Sequence, residues 1–160
     1  MIFVTVGMQL AFDRLVNSVI KWSKLHGKMN IVFQVGPNGS CIEGYKCEEF
    51  LDSDEFNKLI TQAEMVVSHA GMGTILKSLE LAKPLIIMPR RAQLNEHRND
   101  HQLHTAAKFS EYPGITTVYN EEKLHGALDE SLTAEARTLI SPYASDQLLN
   151  HIRQFIKTEM

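Results

Sequence analysis

The side chains with the greatest capacity for chemistry lie between positions 64 and 102. Ser68-His69-Ala70-Gly71-Met72-Gly73-Thr74 is a turn of small residues carrying one imidazole. Gly71 and Gly73 remove side chains where the chain turns, so a ligand can approach the backbone. A helix starting behind them presents unsatisfied N–H groups and the positive end of its dipole, a setting for an anion and above all a phosphate. The plainer reading is that the glycines only serve the turn, because a short glycine motif is weak by itself. His69 could donate to a phosphate from a neutral ring, orient the turn, or deprotonate an acceptor hydroxyl. Arg90 and Arg91 could neutralise a diphosphate or an anionic acceptor, or stand in solvent. His97, His101 and His104 fall at i, i+4 and i+7 with Asp100 nearby. Such a face could line a sugar or phosphate, hold zinc, or be a solvated surface. Asp52-Ser53-Asp54 could hold a metal–diphosphate, but it directly precedes a well-patterned helix, where Asp or Ser serves as a cap.

These groups must be carried by regular elements. Residues 65–68 form an apolar strand, 74–81 a helix with Ile75, Leu76, Leu79 and Ala82 inward, and 85–88 a second strand. Strand, glycine turn, helix, strand is a βαβ unit. A second helix is expected to open near Asn95. Earlier, residues 2–6 form a strand that is apolar nearly throughout, as a central parallel strand is. Gly7-Met8-Gln9-Leu10 then leads into a helix over 11–25, making Gly7 a second candidate phosphate contact. Strands are expected over 31–35, 49–51 and 115–119. Helices are expected after residues 52–54, over 121–128 and over 146–157, the last with Leu148, Leu149, Ile152, Phe155 and Ile156 as its apolar stripe. Alternating strands and helices give a Rossmann-like parallel sheet with helices on both faces. In the order 3-2-1-4-5-6, strands one and four are neighbours, and the loops after them open a crevice.

One domain with one sizeable core suits 160 residues, and no linker, repeat or low-complexity segment divides residues 1–160. A net charge of -3 provides no basic field for nucleic acid. Cys41 and Cys47, the only cysteines, fit a reducing compartment and are too few for a metal framework. No apolar run nears the roughly 18 residues of a membrane span. A dinucleotide fold is disfavoured: G-x-G-x-x-G does not follow the first strand, and no acidic residue ends the second.

Three separated motifs agree in order and spacing: Ser68 to Thr74, Leu79 to Arg90, and Glu96-His97 with Asp100-His101-Gln102. With Val4-Thr5-Val6-Gly7 and Phe12-Asp13-Arg14-Leu15, they resemble the C-terminal, donor-binding domain of glycosyltransferase family 28. The similarity is closest to the small soluble subunits of two-subunit UDP-sugar transferases, including those of the dolichol pathway and of bacterial exopolysaccharide and capsule synthesis. It covers roughly residues 1–130. The resemblance implies half of a GT-B fold, an inverting hexosyl transfer from a UDP-sugar substrate, no cofactor and no catalytic metal. It places the diphosphate at Gly71, Met72, Gly73 and Thr74, and the donor sugar at Asp100, His101 and Gln102. Where many relatives carry an acidic residue for the ribose hydroxyls, this chain has Lys77. Glu80, one helical turn on, is the candidate replacement.

Two classes of function follow. The first is a donor-binding, catalytic subunit, cytoplasmic and held at the membrane by a membrane-anchored partner that brings a lipid-linked saccharide acceptor. In it, Gly73 and Thr74 stabilise the leaving diphosphate. The partner is expected to meet the loops at 8–11 and 90–96, because the chain has no room for an acceptor half. The second is a nucleotide-sugar-binding regulatory module without catalysis of its own.

Overall fold

The computed structural model describes residues 1–27, 29–40 and 42–133. Its strands are β1 (Ile2–Thr5), β2 (Ile31–Gln34), β3 (Lys46–Glu48), β4 (Met65–His69), β5 (Leu85–Met88) and β6 (Ile115–Thr117). Its helices are α1 (Asp13–Leu25), α2 (Ser53–Gln62), α3 (Met72–Glu80), α4 (His101–Phe109) and α5 (Glu121–Thr133), with a 3-10 turn at Ala92–Leu94. The helix expected over 146–157 lies outside the described residues.

All six strands are parallel, in the order β3-β2-β1-β4-β5-β6. This is the expected order, and it places β1 and β4 side by side with Thr5 opposite Ser68. Alternation along the strands divides the core. Ile2, Val4, Met65, Val67, Ile86 and Met88 pack on one face with α1 and α5, through Leu15, Val19, Trp22 and Leu124. Phe3, Val66, Leu85 and Ile87 pack on the other with Ile60, Ile75, Leu79 and Ala106 of α2, α3 and α4. Both faces are covered, which explains the near-continuous apolar runs of the central strands.

Two elements differ from their expected positions. The third strand occupies Lys46–Glu48 and not 49–51; its side chains are largely exposed at the sheet edge, so it has no apolar period to read. Leu51 is instead a buried plug just ahead of α2. The helix expected from Asn95 begins only at His101, because Asn95 takes a left-handed conformation at the end of the 3-10 turn. Cys47 is disulfide-bonded and not a free thiol, so the argument from free thiols to a reducing compartment does not apply to it. Among the described residues, no helix is long and apolar enough to cross a membrane.

Candidate functional site

A cavity of about 740 Å³ opens at the carboxyl ends of β1 and β4, within the range of small-molecule sites. The Gly-bearing turns after both strands contribute to it. Gly7, Gly71, Gly73, Thr74 and His69, expected from the glycine turns, line it together with His101 and Gln102, which the family resemblance implied. Met72, Glu80, Arg90 and Asp100 do not line it.

The glycines have two different purposes. His69 ends β4 with its imidazole between the two turns. A Cβ on Gly7 would stand 2.8 Å from His69 Cε1, and one on Gly71 would stand 2.2 Å from Nε2. Gly7 also has φ +80, where a side chain is strained. These glycines therefore make room for a ring. Gly73 differs: a Cβ there meets nothing within 4 Å and points into open space. Gly71 caps α3 without any side-chain acceptor, and the first α-helical bond runs from the Ile75 N–H to the Gly71 carbonyl. The N–H groups of Gly73 and Thr74 are left for the cavity.

Burial, reinforced by the Arg90 charge, lowers the His69 pKa to about 4, while a hydrogen bond to the Thr5 backbone opposes the shift. The ring is neutral near pH 7 and a weak base. Ser68 Oγ lies 3.3 Å from its Nδ1.

Two glutamines line the same cavity, each almost fully buried. Gln34 Oε1 accepts from Thr5 Oγ1 at 2.5 Å, and Thr5 Oγ1 accepts in turn from the Gly7 N–H at 3.3 Å. Gln102 Oε1 accepts from the Arg90 N–H at 3.1 Å. With both carbonyl ends engaged, the amide N–H2 groups are the ends left for a ligand. The sequence alone does not mark Gln34 or Thr5 as site residues. The available signal was a polar residue closing each of two otherwise apolar strands. Leu51, Phe56 and Asn57 form a further wall that was also missed.

Arg90 is a correction. It is 2% exposed, and its guanidinium donates to the carbonyls of Val6, Leu10, Ala11 and Glu96. It also lies over the Phe12 ring at 4.7 Å. Burial lowers its pKa to about 10, with Glu96 opposing, so it stays charged at neutral pH. Its fork is occupied by backbone and is not offered to a diphosphate. Arg91 reaches the Tyr119 carbonyl. Glu96 ties the same region together, pairing with Arg14 Nε at 2.5 Å and Nη2 at 2.9 Å, and accepting from the Arg91 N–H at 2.9 Å.

Asp100, expected at the sugar, instead accepts from the Ala92 N–H at 2.8 Å and fixes the loop before α4. The three-histidine helical face does not form, because His97 precedes the helix. His97 and His101 nevertheless line the cavity, and their ring centroids are 4.6 Å apart, edge to face. His104 is not in the wall. Asp52 caps α2: Oδ1 accepts from the Glu55 N–H at 2.8 Å, and Glu55 Oε2 accepts from the Asp52 N–H at 3.4 Å. This reciprocal box is the capping reading of the D-x-D triplet. Among the described residues no cluster of three or more His, Cys, Asp or Glu side chains could hold a metal ion. Lys77 lines the cavity and donates to Glu80 Oε2 at 3.1 Å, while Glu80 itself is outside the wall.

Comparison with known proteins bears on the family and the fold. The mouse (Mus musculus) protein named UDP-N-acetylglucosamine transferase subunit ALG13 is 35% identical over 114 residues, covering 64% of this chain and 10% of that one. A UDP-N-acetylglucosamine–N-acetylmuramyl-(pentapeptide) pyrophosphoryl-undecaprenol N-acetylglucosamine transferase of Clostridium perfringens (strain SM101 / Type A) is 37% identical over 87 residues, covering 54% of this chain and 23% of that one. The chain thus spans from a tenth to about a quarter of these two relatives. Among solved structures, the solution structure of ALG13 superposes with a TM-score of 0.58 at 21% identity, covering 94% of this chain and 93% of the other. The glycosyltransferase of kitacinnamycin superposes with a TM-score of 0.59 at 12% identity, covering 83% and 35%. The fold is thus the Rossmann-like C-terminal half of GT-B glycosyltransferases. The model of the glycosyltransferase family 28 C-terminal domain matches residues 1–157, and the chain belongs to that family.

Proposed function

We propose that this chain is the donor-binding, catalytic subunit of a UDP-sugar glycosyltransferase. It works with a membrane-anchored partner that brings a lipid-linked saccharide acceptor, in polysaccharide or glycolipid synthesis on the cytoplasmic side of the membrane. The observation that carries this reading is the uncapped start of α3. The N–H groups of Gly73 and Thr74, the open space at Gly73 and the amide ends of Gln34 and Gln102 converge on one cavity. That is the chemistry of a diphosphate with a sugar attached. The wall of Leu51, Phe56 and Asn57 suits the base.

In the proposed reaction an acceptor hydroxyl attacks the anomeric carbon with inversion as the bond to the diphosphate oxygen breaks. Negative charge grows on the departing UDP and is met by fixed N–H donors and the α3 dipole. His69 was the candidate base. With a pKa near 4 and its ring wedged between two glycines, it suits positioning the turns better than accepting the hydroxyl proton. The base is assigned to the partner.

Calorimetric titration of the purified chain with UDP-sugars tests donor binding; its absence would remove this reading. Binding is expected to survive chelator treatment. A lipid-acceptor assay with and without the membrane partner tests the division of labour. Transfer by the isolated chain at about 1 per second or more, the low end of ordinary enzymes, would overturn it. A second reading, a nucleotide-sugar-binding regulatory module, is favoured by the weak basicity of His69. It requires donor binding with no transfer in the presence of the partner.

A further inference from the structure

The neighbours of His101 assign its ring proton to one nitrogen. Its Nδ1 faces Asn99 Oδ1, and the same oxygen accepts from the His101 backbone N–H at 3.3 Å, which identifies it as the carbonyl end of the amide. An acceptor opposite Nδ1 places the ring proton there. In the neutral ring Nε2 is then a bare lone pair, which repels an oxyanion. The His97 ring stands at 4.6 Å, and its Nδ1 is buried without a hydrogen-bond partner. Both rings are in the cavity wall, which the start of α3 also lines.

We propose that the His97–His101 pair is a proton-linked oxyanion site: an oxyanion of the donor binds there with uptake of one proton, at Nε2 of His101. The proton comes from solvent, turns the lone pair into an N–H donor, and leaves with the ligand. This inference rests on the donor reading above and adds to it the source of the counter-charge.

The surroundings support it. The charges of Arg90 and Arg98 act on His97, His69 at the end of β4 feels both rings of the pair, and Lys77 on α3 is in the same cavity wall. The carboxylate of Asp100 is turned to the Ala92 N–H, and that of Glu96 to Arg14 and Arg91, while Asp52, the carboxylate in the cavity wall, accepts from the Glu55 N–H at the start of α2. Burial, followed by the charges of His101, Arg90 and Arg98, lowers the His97 pKa. A hydrogen bond to the Asn99 backbone opposes that shift without reversing it, so His97 favours its neutral form and the proton is assigned to the other ring of the pair.

The oxyanion has two available sources in a nucleotide sugar, the diphosphate or a carboxylate on the sugar. Calorimetry of the full chain with UDP-glucose, UDP-glucuronate and uridine, in buffers of low and high ionisation enthalpy, separates them. Uptake of close to one proton with both nucleotide sugars assigns the site to the diphosphate. Uptake with UDP-glucuronate alone assigns it to the sugar carboxylate. Uridine should show none. Affinity should rise as pH falls, by up to roughly tenfold per pH unit while uptake is complete. His101→Gln, at an exposed position, should bind without uptake and without the pH slope. Equal heats in both buffers and a flat pH profile for the wild type would overturn the proposal and leave the donor reading standing. Failure of both nucleotide sugars to bind at any pH would remove both.

Discussion

The imidazole of His69 lies directly against Gly71, so closely that a Cβ there would stand 2.2 Å from Nε2. The same ring would be 2.8 Å from a Cβ on Gly7. Gly71→Ala should therefore displace the ring and cost about 1–3 kcal/mol, the usual range for overpacking. Chemical denaturation measures the loss. The double variant with His69→Ala should recover most of it, because the obstruction is then gone.

Gly73→Val should behave in the opposite way. Nothing stands within 4 Å of the new Cβ, and valine is a better helix residue than glycine. Stability should be unchanged or raised, while UDP affinity falls by tenfold or more, about 1.4 kcal/mol. Undiminished affinity in the folded variant would exclude the diphosphate from this turn.

The lowered pKa of His69 has a pH signature. The unfolded imidazole takes a proton near pH 6.5, whereas the folded one resists until about 4. Between these values the unfolded state binds more protons. The contribution to stability is complete above about 6.5 and is lost as pH falls towards 4. Urea midpoints measured across this window should decline, and less steeply in His69→Gln.

Arg90→Lys should loosen the site from behind. A lysine cannot reproduce a fork that serves the carbonyls of Val6, Leu10, Ala11 and Glu96. Leaving buried carbonyls unpaired should cost about 2–4 kcal/mol. Hydrogen exchange should quicken over residues 7–11, with a fall in donor affinity that a purely distant defect would not produce.

On α3, Lys77→Ala should change UDP affinity more than Glu80→Gln. Lys77 is in the cavity wall and Glu80 is outside it. Calorimetry giving the reverse order would place the ribose nearer Glu80.

The sheet order, the two Gly-bearing turns and the capping by Asp52 were legible because each depends on local chemistry: apolar runs, residues without side chains, a carboxylate ahead of a helix. What escaped depended on distance along the chain. Arg90 looks like a free cation in sequence, yet its partners are some 80 positions away at Val6, Leu10 and Ala11. His97, His101 and His104 have helical spacing, but Asn95 delays the helix and breaks the face. Gln34 and Gln102 gave no motif, since their role comes from which end of each amide is already engaged.

The Arg90 fork also bears on the kinetics of ligand entry. The loop after β1 is fastened at Val6, Leu10 and Ala11 to a buried side chain in the described fold. The conformational entropy of that loop is therefore lost when the chain folds, and little is left to lose on ligand binding. Association should then follow a single exponential phase whose rate rises linearly with ligand concentration. It should not level off at a ceiling set by closure of this loop.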